Sequence, residues 1–90
     1  MKAGDIITEA SKCLVQRGVD YDSKGGERSM RRAVTLFNEV TNARLSVKHG
    51  WLMMIAVKLA RMEQNPKKLD TYVDLCAYFA LLGEEQTDET

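Results

Sequence analysis

The chain has 90 residues, enough for one hydrophobic core and too few for two. Hydrophobic residues at 44% and charged residues at 29% exclude a largely disordered polypeptide. Thirteen basic residues balance thirteen acidic ones, which disfavours a general nucleic-acid binder, and no apolar run is long enough to span a membrane.

The opening segment, MKAGDIITEA, lacks the apolar stretch of a signal peptide. The first predicted helix covers 5–17. It places Ile6, Ile7, Ala10, Cys13 and Leu14 on one stripe, with Asp5 as N-cap and Gly18 just past the end. The polar stretch VDYDSKGG then reads as a loop. A second helix is expected over 27–42, with Met30, Ala33, Val34, Phe37 and Val40 as its buried face. Its start, KGGERSMRR, is the most basic part of the chain. Gly25-Gly26 and the helix N-terminus would let backbone N–H groups approach an anion, and Arg28 and Arg31 could fork onto its oxygens.

After a short break, Ser46 is a good N-cap for a third helix over 47–63. From Trp51 to Ala60 this helix holds one charge, Lys58, so it is apolar on nearly all sides. Such a helix must be surrounded, and a chain this short has few helices to surround it. An oligomer, most simply a dimer, is therefore expected. The fourth helix, over 67–83, follows Asn65-Pro66, with Pro66 read as its first-turn proline and Gly83 as its stop. Its apolar stripe includes Leu69, Tyr72, Val73, Cys76, Phe79 and Ala80. No strand pattern appears, so the fold is all-α: a single helical domain over 1–83 with an acidic, frayed tail over 84–90. That tail holds four acids, and without them the chain carries a net +4. Cys13 and Cys76 sit at apolar positions without metal-ligand spacing, and a reduced, cytoplasmic chain is expected.

One constellation can be placed in space. The short link between the third and fourth helices makes them an antiparallel hairpin, in which facing residues keep a nearly constant sum of their numbers. Lys58 with Asp74 and Arg61 with Asp70 share that sum to within one. Two ion pairs that fix the hairpin register are one outcome. The other is a polar pocket of two cations and two carboxylates, with Tyr21 or Tyr78 free to stack on a base. His49 stands alone and makes no metal set.

The segments RGVDYDSKGGERSMRRAVTLFNEVT, GWLMMIAVKLAR and LDTYVDLCAYFALLGEE resemble a family of small phage- and prophage-encoded proteins. The shared elements are Arg17 to Tyr21-Asp22, Phe37-Asn38, Lys58 to Arg61, and Asp70, Asp74 and Tyr78. The resemblance implies a phage origin. A more distant similarity is to all-α nucleotide pyrophosphohydrolases of the MazG type, and it implies magnesium held by Asp70, Asp74 and Glu27. The Glu-rich motifs of those enzymes are replaced here by fewer, differently spaced acids.

Three functions follow. The preferred one is non-catalytic binding of an anionic, nucleotide-like ligand by Lys58, Arg61, Asp70, Asp74, Arg28, Arg31, Tyr21 and Tyr78, with no cofactor. The alternatives are a magnesium-dependent triphosphate pyrophosphohydrolase and a protein that blocks a host factor through the apolar third helix.

Overall fold

The computed structural model describes residues 1–21 and 29–87, except for the side chains of 17–21. It contains four helices, α1 (Ala3–Tyr21), α2 (Ser29–Thr41), α3 (Val47–Gln64) and α4 (Leu69–Thr87). No strand occurs among the described residues, and the expected all-α fold stands.

The helix ends differ from expectation for local reasons. Asp5 lies inside the first turn of α1, and its Oδ2 accepts the Lys2 backbone N–H at 3.2 Å. It therefore satisfies an orphan donor from within the helix. Gly18 does not stop α1, which continues to Tyr21. A helical glycine costs about 1 kcal/mol relative to alanine and does not by itself end a helix. Asn42 does terminate α2: its φ of 60° is the left-handed turn that asparagine tolerates better than most residues.

The link between α2 and α3 is closed by one side chain. Asn38 Nδ2 donates to the Leu45 carbonyl at 2.9 Å, and the Leu45 N–H donates to Asn38 Oδ1 at 3.0 Å. Ser46 is the N-cap of α3, as expected. The link to α4 is a turn in which the Lys68 N–H donates to the Asn65 carbonyl at 3.3 Å. Pro66 is thus the second residue of a turn and not the first of a helix, because α4 starts at Leu69. The Tyr72 hydroxyl donates to the Pro66 carbonyl at 2.6 Å and pins this turn to α4.

α4 also runs past Gly83 to Thr87, so residues 84–87 of the expected tail are helical, while 88–90 lie outside the described residues. Gly83 keeps a helical backbone, and the Thr87 hydroxyl donates to its carbonyl at 2.7 Å.

The helices pack in the spatial order α2, α3, α4, α1. α3 and α4 are the inner helices of this layer, and α4 buries residues on both flanks. Leu75, Tyr78 and Leu81 join Trp51 and Ile55 of α3, while Val73 and Ala77 join Ala10 of α1. Leu14 touches both groups and links them. α4 thus supplies six buried residues to the two of α3, the helix whose sequence is apolar on nearly all sides. The arrangement is open: its radius of gyration is 14.1 Å, against about 12 Å for a compact domain of this length.

An open layer leaves outer faces uncovered. In α2 only Val34 is buried, while Phe37 and Val40, expected in the core, are exposed. Ile7 of α1 and Phe79 of α4 are exposed for the same reason. Each of these helices has fewer neighbours than its apolar stripe could cover.

Candidate functional site

The hairpin of α3 and α4 brings Lys58 Nζ within 2.8 Å of Asp74 Oδ2, and the two side chains are only 15% and 22% exposed. The predicted pairing across the hairpin is present. It arises because the two residues share a register already fixed by the apolar contacts on either side. Trp51 and Tyr78 stack in a tilted arrangement with ring centroids 6.1 Å apart, about one to two helical turns further from the connecting turn. A lysine bound this closely to a carboxylate is neutralised, and its amine is already engaged.

Arg61 and Asp70 lie one turn from that pair on the same two helices, and the other described members lie elsewhere. Arg61 and Asp70 are both exposed, and no ion pair joins them among the described residues. Arg31 lies 3.6 Å from Glu85 near the end of α4. Glu85 is eleven residues beyond Asp74, so Arg31 sits about 16 Å along the helix from Lys58. Tyr78 is buried, with its ring against Trp51, and offers no open face to a base. Tyr21, Glu27 and Arg28, together with Gly25-Gly26, lie outside the described residues and side chains. Of the proposed magnesium ligands, Asp70 and Asp74 share one helix. Among the described residues no group of three His, Cys, Asp or Glu side chains could hold an ion.

Two apolar features do stand out. The first is an open groove of about 720 Å³ between α1 and α4, lined by Ile6, Ile7, Leu14, Leu75, Cys76 and Phe79 among others. Neither Lys58 nor Asp74 lines it. The second is the outward arc of α3. Trp51 and Ile55 face the core, while Leu52 (42%), Met53 (63%), Val57 (38%) and Leu59 (42%) remain exposed, with Ala56 and Ala60 between them. From Leu52 to Ala60 the residues of this arc are uncharged, and exposed Arg61 borders it one turn beyond Val57.

The sequence carried the signal for the arc in WLMMIAVKLA, an apolar run with one charge. It did not carry a signal for the groove. The groove depends on how far apart α1 and α4 settle, and neither helix shows that by its own periodicity. His49 acquires a structural role that its isolation in sequence concealed. Its Nδ1 accepts the Ser46 backbone N–H at 3.0 Å and lies 3.1 Å from Ser46 Oγ. It fills the N3 place of a capping box, where glutamate or glutamine usually sits.

No helix among the described residues is long and apolar enough to cross a membrane. No curated protein and no solved structure matches the chain. One family does match, a domain of unknown function designated DUF6378, over residues 5–86. That span takes in all four helices from the first turn of α1 to the last turn of α4, and the chain is a member of the DUF6378 family.

Proposed function

We propose that this protein is a non-catalytic interaction module whose working surface is the outward arc of α3. The observation that supports it is the uncharged row of Leu52, Met53, Val57 and Leu59 on a helix whose opposite face already fills the core. Contiguous apolar surface on a monomer is costly to keep in water and is commonly a contact site. Blocking a partner by docking needs no metal and no nucleophile.

The charges expected to hold an anionic ligand are partly engaged and partly far apart, which favours the contact surface. Lys58 is held by Asp74, Arg31 is about 16 Å away, and Tyr78 is buried. Arg61, exposed one turn from Lys58, is the residue that still supports an anion site. Magnesium-dependent hydrolysis lacks a third described ligand. The free thiols of Cys13 and Cys76 support a cytoplasmic setting.

Photo-crosslinking tests the proposal. A photoreactive residue at Met53 should give covalent protein adducts in producing cells, and the same residue at exposed Lys12 of α1 should give none. Equal yields at both positions would remove the proposal. A thermal-shift panel of nucleotides gives the comparison: a clear shift that Arg61→Ala abolishes would restore the anion site.

A further inference from the structure

We infer that the partner on the outward arc of α3 is a second copy of this chain, packed antiparallel about a two-fold axis at Ala56. This rests on the arc being the working surface and adds the identity of its occupant.

The argument is the spacing of the arc itself. His49, Leu52, Met53, Ala56, Leu59, Ala60 and Glu63 follow the three- and four-residue steps that keep side chains on one helical face. Around Ala56 the residues one turn away on both sides are apolar, Leu52 and Met53 before it and Leu59 and Ala60 after it, and those two turns away are His49 and Glu63. An antiparallel copy centred there sets Met53 opposite Leu59 and Leu52 opposite Ala60, with Ala56 meeting its own counterpart. A two-fold interface requires this self-complementarity, because each residue must find its mate in the same sequence. Ala56 and Ala60 are the small residues that let two helices approach closely.

The ends match in charge chemistry as well. His49 and Glu63 stand equally far from Ala56, so each His49 meets the Glu63 of the other copy. The capping bond fixes the histidine tautomer: Nδ1 accepts from Ser46, which leaves the proton of the neutral ring on Nε2. The ring therefore presents an N–H donor to a carboxylate. Both residues are exposed in the single chain.

The area sets the strength. At up to roughly 200 Å² for a large exposed side chain, Leu52, Met53 and Leu59 with the two alanines, His49 and Glu63 offer about 400 Å². That is near half of the ~800 Å² per partner in a standard interface. The dimer is accordingly concentration-dependent and not obligate.

The test uses the full chain. Sedimentation equilibrium should show the mass rising from monomer to dimer with concentration. His49→Glu keeps a good N3 residue for the cap but places like charges at both ends, so the dimer should weaken about tenfold while the fold is retained by circular dichroism. Adding Glu63→Lys should restore it. In a Cys13→Ser/Cys76→Ser background, Ala56→Cys should form a self-disulfide under mild oxidation, since facing Cα atoms of helices 8–10 Å apart come within disulfide reach. Phe37→Cys should not. A monomer at every concentration, or ready crosslinking of Phe37→Cys with none at Ala56→Cys, would overturn the two-fold at Ala56. Met53 adducts consisting only of other proteins would overturn it too, while leaving the interaction module intact.

Discussion

Lys58 of α3 and Asp74 of α4 meet at 2.8 Å on the flank of a hairpin whose register is set by apolar packing. The pair is partly sheltered, and that makes it asymmetric under mutation. Removing one charge strands the other, whereas removing both leaves nothing to solvate.

Asp74→Asn or Lys58→Met alone should therefore lower stability by roughly 1–3 kcal/mol. The double replacement Lys58→Met/Asp74→Leu should lie within about 1 kcal/mol of wild type, on either side. Urea denaturation of the four proteins gives the coupling directly. Additive losses in the double variant would mean that the two residues do not act as a pair.

Gly50 marks the closest approach of α2 to α3. A Cβ there would lie 2.9 Å from Val34 Cγ2, with the Met30 sulfur nearer still. Met30 can swing aside, but the branched Val34 cannot. Gly50→Ala should thus lose roughly 1–2 kcal/mol by overpacking, which outweighs the ~1 kcal/mol that alanine gains in helix propensity. In a Val34→Ala background the same substitution should become neutral or favourable. The comparison is two denaturation midpoints in each background.

How much of this was legible in the sequence depends on the kind of contact. Helix existence follows from periodicity, and the Lys58–Asp74 pairing follows from a short link and a shared register. Both are local inferences. Neighbour count is not local. Phe37, Val40 and Ile7 carry the signature of core residues and are exposed, because α1 and α2 each pack mainly on one other helix, while Phe79 of α4 lines the open groove beside α1. The larger share of α4 in the core was hidden for the same reason: its apolar residues run around two faces, as those of α3 do. Arg31 looked like part of an anion site because it follows a glycine loop. Its distance from Lys58 depends on where α2 crosses the hairpin.

Asn38 closes the α2–α3 link with two hydrogen bonds to Leu45. Asn38→Ala should remove both and cost about 1–2 kcal/mol. Asn38→Asp, which keeps the acceptor and loses the donor, should fall between. Amide hydrogen exchange at Leu45 should accelerate in the alanine variant and stay protected in the aspartate variant.

Thr71 is the one polar residue among the buried described residues, at 3% exposure, and among the described residues no hydrogen bond engages its hydroxyl. A buried hydroxyl without a partner is a net cost. Thr71→Val keeps the shape and should be neutral or stabilise by up to about 1 kcal/mol. A clear loss of thermal stability would show that the hydroxyl has a partner in solution.

Methionine footprinting probes the outer arc of α3 most directly. Met53 is 63% exposed in the single chain, whereas Met54 and Met62 are partly buried on the opposite side of the same helix. Oxidation to the sulfoxide follows exposure. If the arc is a contact surface, Met53 should oxidise quickly in dilute protein and slowly at high concentration or in producing cells, with Met54 and Met62 unchanged. Rapid oxidation of Met53 under all of these conditions would show that nothing covers the arc, and the assignment of α3 as the working surface would be wrong.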